Sequence, residues 1–297
     1  MTEKLAGVAH ESGTFTIGGD LEVHRLGFGA MRLCGENVWG PPPDREEAHR
    51  VLRRALDLGI DFLDTADSYG PYVDEELIAE ALHPYPDSLV VATKGGLVRP
   101  RPEAWDPKGT PEHLREACEG SLERLRVERI DLYQLHALDP EVPPEDQFGT
   151  LKELQEEGKI RHVGLSNVEV GDIRKAREIL DVVTVQNRYN LQDRSSEAVV
   201  DYCTENDIGF IPWFPLATGD LAEDPVLSRI GKRRDSTAAQ VALAWLLARS
   251  PVMLPIPGTS SVEHLEENAA AAALELEEDD LRELDSRFGV TVGGGTR

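Results

Sequence analysis

The sequence predicts an α/β fold, a closed parallel (β/α)8 barrel of the TIM type with a β-hairpin before it and a C-terminal helix after it. Three observations carry this. Short apolar runs alternate with longer amphipathic ones eight times along 297 residues, with no low-complexity linker between them, which is the pattern of repeated strand–helix units. The short runs are apolar almost throughout, as strands covered on both faces must be. The length suits one such barrel, for which about 250 residues is typical. The whole chain, 1–297, therefore reads as a single domain with its core over about 14–288 and flexible tails at both ends.

The elements follow in order. "FTIGGDLEVHRLG" reads as a hairpin turning at Gly18-Gly19. Strands are expected at 26–31, 61–66, 89–95, 130–136, 162–167, 182–187, 209–213 and 252–257. Helices are expected at 44–58, 73–82, 111–125, 144–157, 170–180, 196–206, 237–249 and 261–272. Asp44 with Glu47 three residues on, and Thr110 before Pro111, are helix-start signals. A doubly wound sheet is the rival, and its best support is "GFGAMRLCG". Arg32 stands there in place of the third glycine of a dinucleotide-binding turn, and no helix begins before about Asp44, so that reading fails.

Composition excludes several functions. Lys and Arg number 31 against 55 Asp and Glu, a formal charge of -24, opposite to the basic face that nucleic acid or an anionic membrane needs. No run approaches 18 apolar residues and the N-terminus lacks an apolar signal core, so the expectation is a cytoplasmic protein with no membrane partner. Cys34, Cys118 and Cys203 are odd in number and lack metal-ligand spacing, which fits a reduced protein with no metal site.

The expected strands from the second onward end in Asp64, Lys94, His136, Ser166-Asn167, Gln186, Trp213 and Gly258-Thr259. In a parallel barrel these ends share one rim, where the chemistry of such folds resides. Each residue alone has an ordinary structural explanation; seven at matching strand ends do not. Lys94 is expected to pair with Asp64 on the neighbouring strand, and its ammonium to favour tyrosinate at Tyr69, making that hydroxyl a better acid near neutrality. His136 is placed to hydrogen-bond the same oxygen. Asp67 reads as a turn or helix-capping residue. Ser166, Asn167 and Gln186 offer a hydroxyl and two amides suited to a carboxamide, Trp213 a face for a planar ring, and "PGTSSVEHLEEN" backbone N–H groups for a phosphate. Together they describe a nicotinamide dinucleotide site.

With these residues in place, "GIDFLDTADSYG", "VATKGG", "DLYQLH", "VGLSN", "VQNRYN" and "PIPGTSSVEHLEEN" resemble the aldo-keto reductase family over nearly the whole chain, most closely its pyridoxal reductase branch. The resemblance implies an enzyme that reduces an aldehyde or ketone to the alcohol with NADPH. Asp64, Tyr69, Lys94 and His136 would form the catalytic tetrad, with Tyr69 as general acid. Ser166, Asn167, Gln186 and Trp213 would hold the nicotinamide. The 215–221 segment, with Pro215 and Leu216, would fold over the pyrophosphate. Gly258, Thr259, Ser260, His264, Glu267 and Asn268 would face the adenosine phosphate. Gly258 and His264 stand where many members carry Lys and Arg for the 2′-phosphate, which leaves NADH as the alternative. Trp39 and Trp105 are expected as walls of the pocket for a small carbonyl substrate. A broad-specificity reductase and a subunit that senses nicotinamide redox state are the other readings. The resemblance permits a monomer or weak homo-oligomer.

Overall fold

The computed structural model describes residues 5–217, 221 and 224–289; residues 1–4, 218–220, 222, 223 and 290–297 lie outside it. Within the expected N-terminal tail, 1–13, Val8–Ser12 form a short 3-10 helix that buries Ala9 and Ser12. β1 (Thr14–Ile17) and β2 (Leu21–His24) form the expected hairpin. Gly18 and Gly19 turn it at φ 62° and 82°, values at which a Cβ is strained. Phe15, Ile17, Leu21 and Val23 face inward as a strand's alternation dictates. They join the main core at the N-terminal ends of the barrel strands, away from the rim that carries the site: Phe15 lies beside Gly209, the first residue of its strand.

Seven parallel strands make the barrel wall. β3 (Phe28–Gly29), β4 (Phe62–Asp64) and β5 (Val90–Gly95) come first. They are followed by β8 (Ile130–Leu135), β9 (Ile160–Ser166), β10 (Val182–Arg188) and β11 (Gly209–Trp213), in that spatial order. The eighth position departs from expectation. Residues 252–257 form no full strand, only a parallel bridge between Phe210 and Met253. The Phe210 N–H donates to the Val252 carbonyl and the Leu254 N–H to the Phe210 carbonyl, both at 2.8 Å. On the other side the Gly27 N–H donates to the Pro255 carbonyl at 3.0 Å, so the segment links both edges and closes the barrel. Pro255 and Pro257 lack the N–H groups a ladder needs.

The helices cover this wall. α1 (Arg45–Asp57) opens on Asp44, whose side chain accepts from the Glu47 N–H, and buries Ala48, Val51, Leu52 and Ala55 along one stripe. α2 (Val73–Leu82), α3 (Pro111–Leu125, capped by Thr110), α4 (Pro144–Glu156), α5 (Val170–Arg177) and α6 (Glu197–Glu205) follow the expected order. α7 (Pro225–Arg234) was not expected, although its signals are in the sequence: Asp224 caps it, Pro225 begins it and Lys232, Arg233 and Arg234 end it. α8 (Ala238–Arg249), α9 (Val262–Ala270) and α10 (Glu278–Phe288) complete the chain. α10 is held to α7 by Arg233 and Arg234, each 2.6 Å from the buried Asp280 carboxylate. A second unexpected element is the short antiparallel ribbon of β6 (Leu97–Val98) and β7 (Asp106–Pro107), which follows β5 and carries Trp105 beside the barrel mouth.

Closure requires a close approach at Gly29, where an added Cβ would lie 2.7 Å from the Ile256 carbonyl oxygen. Gly29→Ala is expected to push the eighth segment off β3 and to destabilise the fold by about 1–3 kcal/mol, read as a lower midpoint in chemical denaturation.

Candidate active site

Strand register brings the site together. Asp64 is level with Ala92, so Lys94, two residues on, points to the same inner face one step nearer the rim. Lys94 is level with Gln134 and Ser166 with Gln186. These side chains therefore converge from β4, β5, β8, β9 and β10 inside the C-terminal end of the barrel.

Lys94 is fully buried, and Asp64 and Gln186 nearly so. An ammonium there must use every proton it has. Lys94 Nζ donates to Asp64 Oδ1 at 2.6 Å, to the Thr65 carbonyl at 2.8 Å and to the Tyr69 hydroxyl oxygen at 3.2 Å. Asp64 Oδ2 accepts from Gln134 Nε2 at 3.0 Å and Gln186 Nε2 at 2.7 Å. Burial pulls the Lys94 pKa down, but Asp64 and Tyr69 outweigh it and the net direction is up, so Lys94 stays charged. With all three ammonium protons committed, Tyr69 can only accept from Lys94. Its own proton is left for the cavity.

The effect on Tyr69 corrects the sequence reading. Lys94 does favour tyrosinate, but burial acts first and more strongly, and the Tyr69 pKa is pushed up to about 12. His136 moves the other way: burial, then Lys94, hold it well below the ordinary imidazole value, so the ring is neutral. Its edge stands against the Tyr69 ring with centroids 5.9 Å apart. His136 Nδ1 lies 3.2 Å from Ser68 Oγ.

These groups line one cavity of about 640 Å3. Asp64, Tyr69, His136, Ser166, Asn167, Gln186, Trp213, Pro215, Leu216 and Gly258 all face it. Lys94 lies beneath and meets the cavity through the two lining residues it bonds, Asp64 and Tyr69. Trp213 is half-buried and donates from Nε1 to Asn167 Oδ1 at 3.1 Å; Asn167 Nδ2 donates to the His136 carbonyl and to Ser166 Oγ. Of the two expected walls, Trp105 lines the cavity and Trp39 does not; Asn37 and Val38 of the same loop take that place. Arg99 ties this loop to the ribbon. Its guanidinium lies 3.6 Å from the Trp105 ring centre and 5.6 Å from that of Trp39, and donates to the Asn37, Val38 and Pro102 carbonyls.

The remaining expected positions lie in the turn before α9, at Thr259 and Ser260, and along the helix, at His264, Glu267 and Asn268. Thr259 Oγ1 accepts from the Ser261 N–H and Ser261 Oγ from the His264 N–H. Glu47 Oε1 accepts from the Val262 N–H at 3.4 Å. Ser260 and His264 are exposed, Glu267 is half-buried and Asn268 is buried. Arg32, which lines the cavity and lies close to Gly258, was not expected as a functional residue.

Behind the site the structure departs from the sequence again. Asp67 lies in the expected turn but caps no helix; its carboxyl is buried, and burial followed by Glu75 pushes its pKa well up. Asp74 and Glu75, in the acidic first turn of α2, are fully buried. Asp74 accepts from Thr65 Oγ1 at 2.8 Å, and Glu75 accepts from Thr93 Oγ1 and Arg124 Nε, both at 2.6 Å. Burial raises Asp74 to about 7.

The comparisons agree with this geometry. The model of the aldo/keto reductase family matches residues 25–287. An uncharacterized oxidoreductase of Schizosaccharomyces pombe is 50% identical over 278 residues, 93% of this chain and 90% of its own length. Pyridoxine 4-dehydrogenase of Escherichia coli is 43% identical over 280 residues, 92% and 98% of the two chains. The crystal structure of an aldo-keto reductase from Klebsiella pneumoniae in complex with NADPH superposes with a TM-score of 0.81 at 27% identity, covering 93% of this chain and 94% of that one.

Removing one partner of a sealed ion pair leaves the other charge without compensation. Lys94→Met is expected to destabilise the protein by about 3–5 kcal/mol, and the double variant Lys94→Met/Asp64→Asn to regain part of that loss, both measured by urea unfolding.

Proposed function

The chain belongs to the aldo/keto reductase family, and from that premise we propose that it is an NADPH-dependent reductase converting an aldehyde to the primary alcohol, with pyridoxal as the substrate. The observation that carries this reading is Lys94 bonded at once to Asp64 and Tyr69 at the floor of a cavity that also holds a neutral His136. The 43% identity to pyridoxine 4-dehydrogenase supports the substrate. The rings of Tyr69, His136 and Trp105, edge to face at 5.9–6.4 Å, suit a flat aromatic aldehyde.

The donor set fits a nicotinamide carboxamide. Ser166 Oγ accepts from Asn167, so its own proton is free to donate. Gln186 spends Nε2 on Asp64, leaving Oε1 to accept. One donor and one acceptor match the two ends of a carboxamide. Trp213 offers the adjoining face, Pro215 and Leu216 line the approach to the pyrophosphate, and Arg32 brings positive charge beside Gly258. Thr259, Ser260, His264, Glu267 and Asn268 form the adenosine end. When bound, NADPH supplies the hydride.

The protein's own residues do the rest. The carbonyl oxygen sits between Tyr69 and His136; His136 donates a hydrogen bond and Tyr69 transfers its proton as negative charge develops. A Tyr69 pKa of about 12 keeps the phenol intact at neutral pH. The proton moves only when an alkoxide, a stronger base than phenolate, forms in front of it. The Lys94 ammonium then stabilises the tyrosinate, and Asp64 with Gln134 and Gln186 holds Lys94 in place. Three free, buried cysteines support a reducing, cytoplasmic setting.

The direct test is nicotinamide absorbance with pyridoxal, a generic aromatic aldehyde, NADPH and NADH in every pairing. Preference for pyridoxal with NADPH supports the reading, and no turnover with any pair rejects it. Tyr69→Phe is expected to lower kcat by about 10²–10⁴-fold while leaving NADPH affinity, measured by fluorescence titration, unchanged. Because His136 stays neutral, the rate is expected to run level through about pH 6.5, the ordinary imidazole value. Arg99→Ala frees Trp105 and is expected to raise KM for an aromatic aldehyde several-fold more than for a short aliphatic one.

A further inference from the structure

We infer that Ser68 is a positioning residue that fixes the tautomer of His136, donating its hydroxyl proton to Nδ1 so that the ring carries its one proton on Nε2, toward the cavity. The inference rests on the carbonyl-reductase reading for its functional consequence, but the tautomer itself does not depend on that reading.

The tautomer follows from where each proton can go. A neutral imidazole has one N–H and one bare nitrogen, and the hydrogen bond made by one nitrogen decides the state of the other. Ser68, on the turn after β4, is 2% exposed and its Oγ lies 3.2 Å from His136 Nδ1. A buried hydroxyl must place its proton on an acceptor. Among the described residues the Ser68 hydroxyl has no other partner, so Nδ1 takes that proton and must itself be bare. If Nδ1 carried the proton instead, the Ser68 proton would be buried without an acceptor, at a cost comparable to a lost hydrogen bond. Among the described residues Nε2 has no hydrogen-bond partner and it is not sealed from solvent, and the residue lines the cavity. The nitrogen that meets a carbonyl oxygen is therefore the one bearing the proton.

Both partners are held from outside. The His136 N–H donates to the Gly95 carbonyl at 2.9 Å and its carbonyl accepts from Asn167, while the Ser68 carbonyl accepts from Arg99 at 3.4 Å. Removing the hydroxyl would leave the ring in place and free its proton to occupy either nitrogen. In the wrong tautomer a bare Nε2 would face the carbonyl oxygen, lone pair against lone pair.

The test is nitrogen NMR of the histidine rings in protein with NADP+ bound, the His136 signal being assigned by its loss in His136→Asn. The wild type is expected to show a protonated Nε2 and a bare Nδ1, and Ser68→Ala a mixture of the two forms. In parallel, kcat for the aldehyde is expected to fall about tenfold in Ser68→Ala, with NADPH affinity unchanged and the rate recovered in Ser68→Thr, which keeps the hydroxyl. A protonated Nδ1 in the wild type overturns the inference even if Ser68→Ala does not fold, and so does an unaltered tautomer in Ser68→Ala. The expected tautomer and its shift in a protein that reduces no carbonyl would support the assignment to Ser68 while removing the reductase reading.

Discussion

A single ammonium group, that of Lys94, sits where five strands converge, and much of the site follows from having to keep it charged. A buried cation is tolerated only when its charge is matched and each proton has an acceptor. Asp64 supplies the charge, and the Thr65 carbonyl and Tyr69 oxygen take the other two protons. Asp64 is buried in turn, so its second oxygen needs donors, which Gln134 and Gln186 provide. The tyrosine proton is then directed at the cavity because no other direction is open to it.

Burial also decides the protonation of Tyr69 and His136, which line the cavity together. It holds Tyr69 as a phenol and His136 as a neutral ring, against the pull of Lys94 in the first case and with it in the second. In the role proposed for Tyr69, an acid that is poor at rest yet stabilised once ionised makes its largest interaction in the transition state, which is the condition for accelerating a step instead of merely binding tightly.

The cavity walls are built differently from its floor. The floor side chains come from barrel strands, whose register fixes them; the walls come from the 35–41 loop, bonded through its backbone to Gly70, and from the β6–β7 ribbon. Arg99 joins the two by bonding carbonyls of both while stacking on Trp105. Closure below the walls depends on glycine: Gly29 lets the eighth segment approach although its prolines deny it a full ladder.

The order of elements and the identity of the residues that gather at the rim can be read from the amino acids alone, because hydrophobic period and strand ends are local properties and a parallel barrel puts all such ends on one side. Asp64, Lys94, His136, Ser166, Asn167, Gln186 and Trp213 were legible on that basis, and Tyr69 from its place five residues after Asp64. α7 was legible in principle from Asp224-Pro225 and its basic last turn, and the broken eighth strand from Pro255 and Pro257. The rest was decided by tertiary structure. The acidic first turn of α2 looks like a solvated helix start, yet Asp74 and Glu75 face Thr65 and Thr93, which only packing against β4 and β5 reveals. The net shift on Tyr69 is a balance between burial and one neighbouring charge, and sequence names the charge without giving the burial. That Trp105 and not Trp39 faces the cavity, and that Ser68 meets His136, are long-range contacts or their consequences. No local pattern encodes them, because they exist only once the barrel has closed.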